Sequence, residues 1–119
     1  RGQKSEDNVQ KKLENYFEGD AKVEKIGGHG QKRDAFKGVD MVIEKDGKTH
    51  TAQVKPYSTA TIDGDKVSLS DTGNVKPYNV NWLIFIQPKT NKILIFDNHP
   101  LQNENQYIFK LSSLLHEIE

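Results

Sequence analysis

The sequence of 119 residues contains no cysteine. That absence excludes a disulfide framework, a thiolate zinc site and a cysteine nucleophile. It agrees with a reducing compartment, so we expect a cytoplasmic location. No apolar run approaches the ~20 residues needed to cross a bilayer, and the first residues lack the apolar stretch of a signal peptide. We therefore expect no membrane partner.

An excess of charge of either sign is also missing. Lys and Arg together number 17, and Asp and Glu together number 17, so the formal net charge is zero. Bulk charge therefore predicts neither a nucleic-acid partner nor a membrane surface, and any electrostatic footprint must be local. The length of 119 residues predicts one domain over residues 1–119, and the hydrophobic fraction of only 34% predicts a small core.

Periodicity gives the order of elements. Val9, Leu13, Tyr16 and Phe17 share one face of a predicted first helix, with Ser5 as its N-cap and Gly19 as its stop. The last segment, 108–118, has leucines at helical spacing and predicts a second helix. Strands are expected between the two helices, and their ranges are 21–26, 38–44, 48–54, 82–86 and 93–96.

Two turn signals organise the middle of the chain. Asp46-Gly47 predicts a hairpin between the second and third strands, and Asp63-Gly64 allows a smaller hairpin within the irregular insert 56–80. The continuous apolar runs at 82–86 and 93–96 are typical of central strands covered on both faces. The order predicts an α/β fold, a mixed central β-sheet flanked by helices.

Three polar residues interrupt the apolar pattern of the first hairpin. Gln53 and Lys55 lie two apart and share a strand face, and folding about residues 46–47 brings Asp40 roughly opposite Gln53. A carboxylate and an amide oxygen are hard ligands that suit Mg²⁺ or Mn²⁺. A metal held there acidifies a bound water, and an ammonium offsets charge on a phosphate. This set suits phosphodiester hydrolysis.

These residues resemble the motif of the PD-(D/E)xK nucleases, whose fold is the restriction-endonuclease-like core. Asp40 matches the first acid, Lys55 matches the lysine, and Gln53 occupies the position of the second acid, while Val39 replaces the motif proline. The spacing is similar to that of Holliday-junction resolvases and intron-encoded homing endonucleases of this superfamily. In those proteins an acidic residue of the first helix faces the site, and Glu6 is the matching candidate.

The resemblance implies a Mg²⁺- or Mn²⁺-dependent DNA endonuclease in which Asp40, Gln53 and Glu6 bind metal and Lys55 is the catalytic lysine. A local basic patch is expected to grip the phosphates of duplex or branched DNA, although ordinary surface lysine explains the same residues equally well. Ser58 either binds phosphate or caps a helix after Pro56. The candidate nucleic-acid contacts are Lys32, Arg33, Lys37, Ser58 and Lys76.

Cutting both strands of a duplex requires two active sites, so we expect a homodimer. Its candidate surfaces are the insert 57–80 and the predicted C-terminal helix. Two alternatives remain open at this point. Because Gln53 replaces an acid, the chain could be a catalytically inactive nucleic-acid-binding module of the same fold. It could also be a plain interaction domain with Asp40, Gln53 and Lys55 on its surface.

Overall fold

The computed structural model describes residues 2–26, 39–70, 80–87, 89–103 and 106–119. The first element is helix α1, Gly2–Tyr16. It begins before the expected cap, so Ser5 lies inside the helix and the capping prediction is wrong. The predicted stop is confirmed, because Glu18 and Gly19 follow with φ of 51° and 87°, a left-handed backbone that ends a helix. No helix in the described ranges is long and apolar enough to cross a membrane.

Six strands form the main sheet, with the order β1-β2-β3-β6-β7-β10. The first hairpin is confirmed, since Asp46 and Gly47 both have positive φ, as the tight two-residue turn requires. β3 and β6 are parallel and the other neighbouring strands are antiparallel, so the predicted mixed sheet is also confirmed. The strands are β1 Ala21–Lys25, β2 Met41–Lys45, β3 Lys48–Pro56, β6 Trp82–Ile86, β7 Ile93–Asp97 and β10 Leu114–Ile118.

A second sheet of four strands has the order β4-β5-β9-β8. The smaller hairpin about Asp63-Gly64 is β4 and β5 of this sheet. Gly64 has φ of 62°, which explains a glycine at that turn. The strands are β4 Ala60–Asp63, β5 Lys66–Ser70, β8 Leu101–Asn103 and β9 Gln106–Lys110.

The prediction of a second helix over residues 108–118 is wrong. That stretch comprises the end of β9, a short 3₁₀ turn over Leu111–Ser113, and β10. β10 pairs with β7 at the edge of the main sheet, and these backbone hydrogen bonds override the helical spacing of the leucines. The fold of the described residues is therefore α/β-like but mostly sheet: α1 packs on the main sheet, where flanking helices were expected. The proposed dimer surface on a C-terminal helix is wrong for the same reason.

The central strand β6 divides the apolar residues into two cores. Trp82, Ile84 and Ile86 belong to the helix-side core, and Leu83 and Phe85 belong to the sheet-side core. All five are buried, which confirms the expectation of a central strand covered on both faces. The helix-side core also contains Val9, Leu13, Phe17, Ala21, Val23, Met41, Ile43, Ala52, Ile93, Ile95 and Ile118. The sheet-side core also contains Val39, Val67, Leu69, Val80, Leu94, Phe96 and Phe109.

Candidate active site

The hairpin register brings Asp40 opposite Gln53. Met41 pairs with Ala52 in the antiparallel ladder, and the Asp40 amide donates to the Ala52 carbonyl oxygen at 2.8 Å. One step outward along the ladder, Asp40 and Gln53 face each other, as the turn signal predicts. The two residues therefore lie at the start of β2 and towards the end of β3.

Alternation along the strands puts Asp40, Gln53 and Lys55 on one face of the main sheet. Gln53 and Lys55 pair with Leu83 and Phe85 of β6, both of which belong to the sheet-side core. The structure thus brings together three of the predicted site residues, and it sets them against an apolar wall. Burial beside such a wall strengthens electrostatic interactions among the three groups.

The carboxylate of Asp40 is held by the backbone of β3. Its Oδ2 accepts a hydrogen bond from the Val54 amide at 2.8 Å. The Asp40 carbonyl oxygen in turn accepts from the Ile26 amide at 3.0 Å, just beyond the end of β1. Contacts to two neighbouring strands therefore fix both the position of the half-buried Asp40 and the direction of its carboxylate.

Gln53 is buried, with 7% of its surface exposed, yet it is polar. In the part of the chain that the structure describes, its Oε1 has no hydrogen-bond partner. Leaving a buried acceptor unsatisfied costs about 1–3 kcal/mol. Such a cost is expected where the oxygen serves a ligand, and a divalent cation accepts an amide oxygen readily.

Lys55 is half-buried at the end of the same strand face. Burial lowers the pKa of its ammonium, and the Asp40 carboxylate acts in the opposite direction. The two side chains are therefore within electrostatic reach of each other. The ammonium is held in the site at a cost in solvation, as is common at catalytic positions.

Glu6 belongs to helix α1, which packs on the other face of the main sheet. Helix α1 packs on the helix-side core, and Asp7, next to Glu6, forms an ion pair with Lys25 of β1. Lys25 pairs with Met41, the neighbour of Asp40. Glu6 is thus near the end of β1, while Asp40, Gln53 and Lys55 face the second sheet.

The predicted nucleic-acid contacts are only partly described. Ser58 is exposed in a 3₁₀ turn, Tyr57–Thr59, directly after β3. It lies inside that turn, so the alternative role as a cap after Pro56 is wrong. Lys32, Arg33, Lys37 and Lys76 lie outside the described residues.

Tyr57 extends the polar face beyond Lys55, and the sequence did not indicate its charged neighbours. Burial raises the pKa of its hydroxyl, Lys92 lowers it, and Glu117 and Glu119 raise it further. Lys92 Nζ lies 2.6 Å from Glu117 Oε2 and 3.8 Å from Glu119 Oε2. No local motif joins these residues, because β7 and β10 bring them together only in the folded sheet.

The donor set agrees with a hard cation. Within the described ranges, no three His, Cys, Asp or Glu side chains cluster as metal ligands. The oxygens on the polar face come from one carboxylate, Asp40, and one amide, Gln53, and oxygen donors suit Mg²⁺ or Mn²⁺ better than zinc. The unpaired, buried Gln53 Oε1 beside the fixed carboxylate fits such an ion.

Comparison of the chain with protein-family models, with curated proteins and with solved structures found no match.

Proposed function

We propose that this chain is a metal-dependent endonuclease that hydrolyses phosphodiester bonds in DNA, with a restriction-endonuclease-like core. The observation that supports it best is the convergence of Asp40, Gln53 and Lys55 on one sheet face with the buried Gln53 Oε1 unpaired among the described residues. A structural glutamine normally satisfies its oxygen. A ligand for a phosphate-bound cation explains why this one does not.

In this proposal Asp40 and Gln53 hold the cation. Helix α1, which carries the third candidate ligand, Glu6, packs on the opposite face of the main sheet. When bound, Mg²⁺ or Mn²⁺ supplies a polarised phosphate oxygen and an acidified water. The hydrogen bond from the Val54 amide holds the Asp40 carboxylate in one orientation, so its side chain needs little rearrangement when the substrate binds. The Lys55 ammonium orients the attacking water or offsets the charge that develops on the phosphate.

The substrate grip and the dimer belong to the same proposal. Ser58 lies next to the site, and the chain on both sides of segment 27–38 is anchored there, by the contact of Ile26 with Asp40 and by buried Val39. Lys32, Arg33 and Lys37 are within that segment.

Because the proposed site has one set of ligands per chain, two copies of the chain are needed to cut the two strands of a DNA duplex. The insert 57–80 is the proposed surface between the two copies.

The experiment compares wild type with Asp40→Asn on supercoiled, linear, single-stranded and branched DNA and on RNA, each with Mg²⁺, Mn²⁺ or EDTA. We expect metal-dependent cleavage of DNA that falls by about 10²–10³-fold or more in Asp40→Asn, because the anionic ligand is lost. Asp46→Asn is the matched control, since Asp46 is exposed at the far turn of the same hairpin. Full cleavage by purified Asp40→Asn contradicts the assignment.

A second candidate is a nucleic-acid-binding module of the same fold without turnover, and the neutral Gln53 favours it. A neutral amide in place of a carboxylate leaves the metal site with one negative charge fewer, and this weakens its attraction for a divalent cation. DNA binding by wild type with no cleavage in any metal assigns the chain to this second function. Absence of both binding and cleavage contradicts both candidates.

A further inference from the structure

Among the residues that the structure describes, the proposed metal site is poor in negative charge. Its three polar groups are one carboxylate, one neutral amide and one ammonium, and the register of β2, β3 and β6 puts them on the same face of the main sheet. Elsewhere in the described ranges, no group of three His, Cys, Asp or Glu side chains supplies a further cluster. A divalent cation placed beside Asp40 and Gln53 is attracted by a single carboxylate and repelled by the lysine.

The surroundings make this deficit matter. Leu83 and Phe85, the pairing partners of Gln53 and Lys55, are fully buried. A charge interaction near an apolar wall is several-fold stronger than the same interaction in water. One missing negative charge therefore weakens metal binding more here than at an open surface.

Building on the proposed function, we infer that the site binds its metal together with the substrate, because a phosphate oxygen of the DNA supplies the missing negative ligand. Free protein binds a divalent cation weakly, and the protein–DNA complex binds it tightly. By linkage, the metal then raises the affinity for DNA by the same factor as DNA raises the affinity for the metal. The Gln53 Oε1, which is buried and has no hydrogen-bond partner among the described residues, becomes a ligand of the metal when the DNA and the cation bind together.

The test is calorimetric titration of Mn²⁺ into the full 119-residue chain, alone and with a short DNA duplex whose integrity is checked on a gel. For wild type we expect an affinity at least about tenfold higher with the duplex, equivalent to about 1.4 kcal/mol. Labelled duplex, titrated with protein in Mn²⁺ or in EDTA, is expected to show the same factor by fluorescence anisotropy.

Two variants change the charge directly. Gln53→Glu adds a negative ligand and Lys55→Met removes the repelling cation, so each is expected to tighten Mn²⁺ binding without DNA by about tenfold or more. Thr49→Glu and Lys48→Met are the matched controls, because they make the same charge changes about 13 Å or more away on the same strand. Both controls are expected to bind Mn²⁺ as wild type does. If Gln53→Glu does not fold, the Lys55→Met arm decides.

Equal Mn²⁺ affinity of wild type with and without the duplex overturns the inference, as does unchanged affinity in both folded site variants. Failure of the inference is distinguishable from failure of the proposed function. If the protein cleaves DNA but binds Mn²⁺ equally well with and without DNA, the nuclease function stands and the coupling of metal and DNA binding is contradicted. If the protein neither cleaves nor binds DNA, both are contradicted.

Discussion

Burial in the candidate site removes part of the solvation of the Lys55 ammonium. Burial lowers its pKa more than the Asp40 carboxylate raises it. The folded protein therefore disfavours the charged form of this lysine relative to the unfolded chain. A residue kept in spite of such a cost is expected to matter for function more than for stability.

Lys55→Met is accordingly expected to raise the thermal midpoint at pH 7 while it lowers cleavage by about 10²-fold or more. The unfolded chain keeps the proton up to the ordinary lysine pKa, and the folded protein loses it at lower pH. Wild type therefore gains stability as pH rises between those two values. The difference in thermal midpoint between Lys55→Met and wild type should therefore become smaller from pH 7 to pH 10. Thermal unfolding followed by circular dichroism measures it.

Lys48→Met, at the exposed start of the same strand, is the control for lost charge alone. A lower midpoint in Lys55→Met at pH 7 would show that the attraction to Asp40 outweighs the burial cost.

The pairing of Asp40 with Gln53 could be predicted from the sequence because it depends on local geometry. A two-residue turn with both φ positive, at Asp46 and Gly47, fixes the register of every pair above it. The burial of Gln53 and Lys55 could not be predicted in the same way. It depends on the parallel partner β6, 30 residues along the chain, and no local pattern announces that pairing.

At the scale of elements, the C-terminal segment shows how one spacing suits two structures. Leu114 and Ile118 are four apart, which fits one helix face and equally fits alternate positions of a strand. In the structure the strand alternates, with Leu115 exposed and Ile118 buried. A register shift between Leu114 and His116 moves the inward side chains from the sheet-side core to the helix-side core, which no periodic pattern predicts.

The end of helix α1 is held against the sheet by an aromatic cluster. His116 of β10 makes edge contacts with the rings of Tyr16 and Phe17, with centroid distances of 5.4 and 5.1 Å, and its Nδ1 lies 3.3 Å from the Tyr16 hydroxyl. The ring of Trp82 is a further neighbour of His116, with a centroid distance of 6.4 Å. Burial lowers the pKa of His116, and Lys45 lowers it further.

Because the folded state favours neutral His116, we expect stability to fall as pH drops below the ordinary histidine pKa of about 6.5. The loss continues until the lowered folded pKa is passed. Urea unfolding at pH 7.5 and 5.5, followed by fluorescence of Trp82, the single tryptophan of the chain, measures it. In His116→Gln the pH dependence should be smaller. His99→Gln, an exposed histidine, should keep it, and an undiminished dependence in His116→Gln contradicts this assignment.

At the scale of the whole molecule, the two hydrophobic cores lie on opposite faces of the main sheet, and strand β6 contributes side chains to both. Phe109 of the second sheet packs its ring against Phe96 and Phe85 of the main sheet, with centroid distances of 5.4 and 5.9 Å. Trp82 faces the opposite core. A change to either core is therefore transmitted through the strand that both use.

Phe109→Ala is expected to lower the free energy of unfolding by about 3–5 kcal/mol, because it leaves a cavity between the sheets. Trp82 fluorescence should report this loss in full, although Trp82 is on the far side of the main sheet, since a shared strand makes unfolding cooperative. Leu101→Ala, at a side chain that is 54% exposed, should change it by less than about 0.5 kcal/mol. A Trp82 transition unmoved by Phe109→Ala would mean that the second sheet unfolds separately.

The parallel contact between β3 and β6 also bears on the order in which the candidate site forms during folding. The hairpins β2–β3 and β6–β7 join neighbours in sequence and close quickly, whereas β3 and β6 must close a long loop. Asn81 Oδ1 accepts from the Thr51 amide at 2.9 Å, and the Asn81 amide donates to the Thr51 carbonyl oxygen at 2.9 Å, which aligns the pair. We therefore expect Asp40 and Gln53 to face each other early in folding, while both are still exposed to water. The apolar wall of Leu83 and Phe85 is expected to pack against them later, in the slower pairing of β3 with β6, so the candidate residues come together before they are buried.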